Sequence, residues 1–200
     1  MGTDMNTHAE VNRSFEQYFR QNRLPHLWCP GCGNGTAMKC IAEAVDSAEG
    51  FSQDNTVIVS GIGCSSRGSG YMDFDTVHTA HGRAIPFATG IKLARPELNV
   101  IVITGDGDCT AIGGNHFLHG CRRNVDLTVI LFNNNIYGMT GGQMAPTTLI
   151  GMPTATCPYG RDVALNGYPL KIGNILAQLD GTCLVTRQSV QTPAAVRKTK

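Results

Sequence analysis

Two short apolar runs, each ending in acid or amide oxygens, constrain this chain more than any other feature. Val100-Ile-Val-Ile-Thr104 is β-branched throughout and reads as a parallel strand buried on both faces. It ends at Gly105-Asp106-Gly107-Asp108, where the glycines let the backbone turn tightly and approach a ligand. Leu127-Thr-Val-Ile-Leu-Phe132 is a second such run, and it ends at Asn133-Asn134-Asn135-Ile136. Asn134 follows Asp106 by 28 residues, which leaves room for one helix and one strand between them. The spacing therefore predicts two neighbouring parallel strands whose carboxyl ends carry a carboxylate and amides. Ligands of open α/β sheets bind at that edge. A carboxylate, an amide oxygen and a main-chain carbonyl, together with phosphate oxygens, suit a hard cation such as Mg²⁺.

The bulk of the chain narrows the rest. Its 200 residues suffice for one domain with a real core. Net charge is +1 and 16% of residues are charged, which leaves no basic footprint for nucleic acid. No apolar run approaches the roughly 18 residues of a membrane span, and no signal peptide or internal repeat is evident. The expectation is a cytoplasmic protein. Eight cysteines in a secreted chain would read as disulfides; in a cytosolic α/β chain they read as metal ligands or redox groups.

In chain order, residues 1–23 form a polar extension in which Phe15, Tyr18 and Phe19 have helix-like spacing, compatible with a short docked helix or a loose segment. Trp28-Cys29-Pro30-Gly31-Cys32-Gly33 follows. The intervening Pro and Gly favour a turn that points both thiols at one spot, as in a zinc knuckle, a redox dithiol or part of an iron–sulfur site. A helix from about Thr36 carries Met38, Ile41 and Val45 on one face, with Cys40 beside that stripe as core. Thr56-Val-Ile-Val-Ser60 reads as the first central strand and runs into Gly61-Ile62-Gly63-Cys64-Ser65-Ser66-Arg67, whose cysteine is available to join Cys29 and Cys32. After His81-Gly82-Arg83 a helix is expected from about Ala84 to Arg95, with Pro86 in its first turn. His81 is either a hydrogen-bonded loop histidine or a cofactor contact. A further helix is expected from about Thr110 to Arg123; Gly113 and Gly114 inside it imply close approach of the cofactor or of a neighbouring helix, Cys109 reads as a small core residue before a ligand, and Cys121 as structural. Tyr137-Gly138-Met139-Thr140-Gly141-Gly142-Gln143 has the composition of a phosphate-binding nest. The Pro/Thr-rich loop from Ala145 to Tyr159 is a lid or a partner contact. A helix opened by Pro169 and capped by Gly181, a strand over Cys183-Leu-Val-Thr186, and a helix opened by Thr192-Pro193 complete the expected elements.

The pair of motifs resembles the signature of thiamine pyrophosphate (TPP) enzymes. With Trp28-Cys-Pro-Gly-Cys-Gly33, Gly63-Cys-Ser-Ser66 and His81-Gly-Arg83 in the same order, residues 24–197 resemble the β subunit of 2-oxoacid:ferredoxin oxidoreductases, nearest to those acting on 2-oxoglutarate. The resemblance implies an α/β fold, a mostly parallel sheet flanked by helices that binds thiamine diphosphate. It implies CoA-dependent oxidative decarboxylation of 2-oxoglutarate to succinyl-CoA and CO₂ with reduction of ferredoxin. It assigns Asp106, the Asn134 side chain and the Ile136 carbonyl to Mg²⁺, and Cys29, Cys32 and Cys64 to a [4Fe–4S] cluster. Ile62, Gly63, Cys64, Ser65, His81, Gly82, Arg83, Gly107, Asp108, Gly138, Met139 and Thr140 would line the TPP site. Arg67, Met139 and Thr140 are the candidate catalytic residues, with Arg67 either gripping the distal carboxylate of the substrate or serving at the surface or a subunit contact.

The same resemblance implies partners: an α subunit that supplies the acid activating the aminopyrimidine, further γ and δ subunits, ferredoxin and coenzyme A, with no nucleic acid and no membrane. Pyruvate, a branched-chain or an aryl 2-oxoacid are the alternative substrates. A cluster-free TPP-dependent decarboxylase and a zinc-stapled interaction module are alternative classes. Three cluster cysteines fall within the chain, and the family's fourth would follow one more helix and strand. The domain over residues 24–200 is therefore expected to be truncated at its C-terminal end and to hold a cluster poorly. Cys183 and Cys157 are the weaker substitutes for a fourth ligand.

Overall fold

The computed structural model describes residues 14–200. Its centre is a four-stranded parallel sheet of β1 (Thr56–Ser60), β2 (Asp75–His78), β3 (Asn99–Gly105) and β4 (Thr128–Phe132), in the order β2-β1-β3-β4. This is the expected α/β architecture, and the two motif-bearing strands are neighbours, with Gly105 in register with Phe132.

Period-2 alternation sorts the β-branched residues by face. Ile58, Ile101 and Ile103 pack on one side with Met38, Ile41 and Val45 of α1 (Gly33–Ser47) and with Tyr18, Phe19, Trp28 and Met72. Val57, Val59, Val100 and Val102 pack on the other side with Ala84, Ile85 and Ala88 of α3 (Ala84–Ala94) and Phe117 of α4 (Gly114–Arg122). A sheet covered on both faces explains why its strands are continuous apolar runs. Cys40 and Cys109 are buried in these layers and Cys121 packs against the second, as expected of core thiols. Burial pushes the Cys109 thiol far above the ordinary thiol range, with the Asp108 and Cys121 charges adding to it.

Part of the N-terminal extension docks. Turns over Ser14–Tyr18 and Gln21–Arg23 lay Tyr18 and Phe19 into the core, and the Asp73 N–H donates to the Tyr18 carbonyl at 2.8 Å. The expectation for residues 1–13 lies outside the described residues. A short helix, α2 (Gly68–Tyr71), follows the Cys64 loop, and β5 (Ile136–Tyr137) and β6 (Gln143–Met144) form an antiparallel hairpin.

β2 has no apolar run to announce it, because Asp75 and His78 are exposed and Thr76 and Val77 half-buried at the sheet edge. Three local expectations need correction. The helix expected from Thr110 begins instead as a π-helical turn over Asp108–Ile112, closed by the Gly113 N–H on the Asp108 carbonyl at 2.9 Å, and α4 starts only at Gly114. A Cβ at Gly113 would meet the Asp108 and Gly82 carbonyl oxygens at 2.9 Å, so its close approach is real; around Gly114 the space is open. The helix expected to run from Pro169 to Asp180 is reduced to α6 (Ile172–Leu176), which follows the short α5 (Val163–Asn166). Cys183-Leu-Val-Thr186 is not a strand: Leu184 and Cys183 are exposed, and among the described residues the segment joins no ladder that would stabilise an extended run. The last helix, α7 (Pro193–Thr199), forms as read, with the Thr192 hydroxyl accepting the Ala195 N–H at 3.2 Å. No helix among the described residues is long and apolar enough to cross a membrane.

Candidate active site

The carboxyl ends of β1, β2 and β3 are tied together by one side chain. Asp108 is 3% exposed, and its oxygens accept the Ile62 N–H at 3.1 Å, the Gly82 N–H at 2.7 Å and the Thr104 hydroxyl at 2.7 Å. His81 Nδ1 lies 2.5 Å from Oδ1. Asp108 therefore joins the loop after β1, the loop after β2 and the end of β3, and it leaves little oxygen free for a ligand.

Asp106 is placed differently. It is 1% exposed, and among the described residues its side-chain partner is the Thr147 hydroxyl, which donates to Oδ2. Burial raises its pKa above the usual carboxylate range, against the lowering effect of the Thr147 bond and of main-chain N–H groups that include Gly107 and Asn134. No Lys or Arg pairs with it among the described residues. A buried carboxylate without a cation is costly, and this one has none among the described residues. Across the cleft the Asn134 Oδ1 accepts the Ile136 N–H at 3.2 Å, a local turn that fixes the asparagine and the Ile136 peptide together. The Tyr137 hydroxyl donates to the Gly107 carbonyl at 3.2 Å, and a Cβ at Gly107 would strike the Tyr137 ring at 2.4 Å. The two halves of the motif thus close on each other, and only glycine at 107 permits it.

The cleft between them is lined by Ile62, Gly63, Cys64, Ser65, His81, Gly107, Asp108, Gly138, Met139 and Thr140, together with Asp106, Asn134 and Ile136. Gly82 and Arg83, expected on it, stand behind His81: Gly82 gives its N–H to Asp108, and Arg83 donates to the Gly82 and Ile112 carbonyls at 3.4 and 3.3 Å. Asn34, Phe132 and Tyr137 line it without having been anticipated. Two amides of the expected nest are turned inward, since Gly141 and Gly142 donate to the Gly138 and Tyr137 carbonyls at 3.2 and 2.9 Å. The loop from Ala145 is no open lid at its start, because Thr147 and Thr148 are buried.

The cysteines gather at one end of the cleft. The Cys32 N–H donates to the Cys29 carbonyl at 3.0 Å around Gly31, whose φ of +80° is open to glycine at no steric cost. Trp28 Nε1 donates to the Cys64 carbonyl at 2.6 Å, which ties that turn to the loop after β1. The Cys64 thiol pKa is raised by burial first and then by the Cys32 and Cys29 thiols, with Arg67 opposing. Arg67 is exposed, and no ion pair engages it among the described residues. Among those residues no three His, Cys, Asp or Glu side chains converge on a single ion. Cys157 gives its thiol to the Gly160 carbonyl at 3.0 Å, within its own loop.

Two tests of fit follow from these contacts. The acid, amide and carbonyl at the sheet edge match a hard cation with phosphate, and the Ser65 hydroxyl, buried on the same cleft, has no hydrogen-bond partner among the described residues. Three neighbouring thiols on two stapled loops match part of the ligand set of a four-iron cluster, in which each thiolate binds a different iron and the sulfurs ring a body instead of one ion.

A sheet edge of this kind, with paired acid and asparagine loops, defines a thiamine-diphosphate-binding domain. Residues 61–199 match the family model described as thiamine pyrophosphate enzyme, C-terminal TPP binding domain, and the chain belongs to that family. It is 60% identical over 150 residues to the 2-oxoglutarate synthase subunit KorB of Archaeoglobus fulgidus, covering 75% of this chain and 55% of that one. It is 60% identical over 144 residues to the subunit of the same name from Methanocaldococcus jannaschii, covering 72% and 53%. A solved structure, 2-oxoglutarate:ferredoxin oxidoreductase from Magnetococcus marinus with 2-oxoglutarate, coenzyme A and succinyl-CoA bound, superimposes with a TM-score of 0.75 at 38% identity over 85% of this chain and 56% of that one. The resemblance read from the motifs is borne out by these relatives. The chain spans about half the length of the curated relatives it matches.

Proposed function

We propose that this chain is the TPP-, Mg²⁺- and iron–sulfur-binding β subunit of a 2-oxoglutarate:ferredoxin oxidoreductase. In that reaction 2-oxoglutarate and coenzyme A give succinyl-CoA, CO₂ and a proton, and two electrons pass singly to ferredoxin. When bound, TPP supplies the carbon nucleophile and electron sink that a 2-oxoacid needs in order to lose CO₂. The protein's part is placement. Asp106, the Asn134 amide and the Ile136 carbonyl would hold Mg²⁺, and Ile62, Gly63, Ser65, His81, Gly107, Gly138, Met139 and Thr140 would form the walls of the TPP site. Asp108 keeps the three loops in register behind them. Cys29, Cys32 and Cys64 bind the [4Fe–4S] cluster. A Cβ at Gly138 would stand 3.4 Å from Cys64 Sγ, so the proposed cluster and cofactor regions share a wall, which favours electron transfer between them. Arg67, on the loop after Cys64, is the proposed grip on the distal carboxylate of the substrate.

The observation that carries the reading is the pairing, across one cleft, of a buried carboxylate lacking a cation with the asparagine loop at the end of the next parallel strand. Activity requires an α subunit, with γ and δ subunits as further partners. A broad exposed apolar set, Leu149, Ile150, Tyr159, Leu165 and Tyr168, supports a protein partner over the loop region. All eight cysteines are free, which supports a reducing, cytoplasmic setting. The test is reduction of ferredoxin or a viologen by this chain assembled with its α subunit, dependent on 2-oxoglutarate and coenzyme A. Iron content separates the reading from a cluster-free decarboxylase, and acyl-CoA formation from pyruvate or a branched-chain 2-oxoacid in place of 2-oxoglutarate would reassign the substrate.

A further inference from the structure

Arg161 is a buried cation that faces carbonyls instead of a carboxylate. It is 6% exposed, and no acid pairs with it among the described residues. Its Nη1 donates to the carbonyls of Ala145, Pro146 and Thr148 at 3.3, 2.9 and 2.8 Å, its Nη2 to Asn166 at 3.1 Å and its Nε to Gly167 at 2.9 Å. Removing a guanidinium from water is costly unless its donors are matched, and here the fixed fork meets five main-chain acceptors. The Arg161 main chain is held too. Its N–H donates to the Met152 carbonyl at 3.3 Å and its carbonyl accepts the Gly151 N–H at 3.0 Å. Gly160, at φ +88°, passes so close that a Cβ there would lie 2.4 Å from the Gly151 oxygen.

What Arg161 grips is the turn from Ala145 to Thr148, and that turn reaches both halves of the proposed cation site. Thr147 donates to Asp106 Oδ2. Thr148 accepts the Ala145 N–H at 2.9 Å and donates to the Asn135 carbonyl at 2.5 Å, between the two residues assigned to the cation on that loop. Asn135 sits at φ +64°, so the loop has a defined shape at the point where Thr148 takes hold. The Thr147 hydroxyl on Oδ2 fixes the orientation of the Asp106 carboxylate.

We propose that Arg161 is a positioning residue for the Mg²⁺ site. It sets the Ala145–Thr148 turn, so that Thr147 orients the Asp106 carboxylate and Thr148 sets the Asn134–Ile136 loop opposite. The inference rests on the reading of Asp106, Asn134 and Ile136 given under Proposed function. Partners that orient metal ligands typically change metal affinity about 10- to 100-fold when lost.

The experiment is calorimetric titration of TPP into the assembled enzyme at stepped Mg²⁺ concentrations, with thermal unfolding recorded separately. Wild type, Arg161→Lys, Thr147→Val and the double variant are compared. Lysine keeps the charge but lacks the planar fork and cannot span the five carbonyls. Arg161→Lys should raise the half-saturating Mg²⁺ concentration about tenfold, Thr147→Val should do the same, and the double variant should be no worse than the weaker single. A purely structural role would lower the melting temperature and leave the Mg²⁺ midpoint where it was. Unchanged midpoints in folded Arg161→Lys, or in Thr147→Val should the lysine variant not fold, would overturn the positioning role, as would additive effects. Absence of Mg²⁺-dependent TPP binding in the wild type would overturn the cation-site reading and the positioning role with it.

Discussion

The Asp108 carboxylate occupies the space that a side chain at Gly61 would need: a Cβ there would lie 2.1 Å from Asp108 Oδ2. Asp108 cannot swing aside cheaply, because the Ile62 and Gly82 N–H groups and the Thr104 hydroxyl hold it from two loops and the end of β3, with His81 Nδ1 alongside at 2.5 Å. Gly61→Ala should therefore cost about 1–3 kcal/mol, the range for overpacking a well-filled site. Urea unfolding of the variant is the measurement, and a loss within about 0.5 kcal/mol, as at an ordinary surface site, would mean that the Asp108 network is soft.

Asp106→Ala should abolish Mg²⁺-dependent TPP binding while the fold persists. Among the described residues Asp106 makes one side-chain hydrogen bond, to Thr147, against three for Asp108. Calorimetry checks the binding and circular dichroism the fold. Wild-type TPP affinity in this variant would remove Asp106 from the cation site.

Arg67→Ala should raise KM for 2-oxoglutarate more than for pyruvate in the assembled enzyme. Arg67 lies on the Cys64 loop, exposed and unengaged by any ion pair among the described residues, so a substrate carboxylate meets no competing partner. Equal changes for the two substrates would assign the arginine to the surface or to a subunit contact.

Trp28→Phe removes the indole N–H from the Cys64 carbonyl, a 2.6 Å bond that joins the two cysteine-bearing loops. A single neutral hydrogen bond of this kind is worth about 1 kcal/mol. The expected outcome is a stability loss of that order and a lower iron content after anaerobic reconstitution. Iron retention equal to wild type would show that the loops hold their places without the staple.

The Cys109 thiol should be silent toward an aromatic disulfide reagent in the native protein at mildly alkaline pH, whereas the exposed Cys29 and Cys183 react at once. Burial raises the folded-state pKa of Cys109 above its unfolded value. The sign of the linkage follows: its contribution to stability is complete below the ordinary thiol pKa and is lost as pH rises past it, where the unfolded chain alone ionises. Thiol counting before and after denaturation checks the first point, and urea midpoints across the alkaline range check the second.

Local sequence by itself determined the layered α/β core and the placing of the two oxygen-bearing motifs at neighbouring strand ends. The isoleucine and valine runs alternate between the two faces, and the oxygens of Asp106 and Asn134 sit where those runs end, so the strand pairing and the motif spacing both follow from short-range pattern. Tertiary structure alone decided which acid of Gly-Asp-Gly-Asp ties loops together and which faces the cleft without a cation, since both are buried aspartates two residues apart whose partners come from distant segments. It also decided that the Cys183 stretch is no strand, because a strand exists only with a ladder partner. Arg161 was equally hidden: nothing local distinguishes an arginine on the surface from one whose five acceptors are assembled by a folded loop. Hydrophobic period is a property of neighbours along the chain. Desolvation and hydrogen-bond satisfaction belong to neighbours in space, and only the fold supplies those.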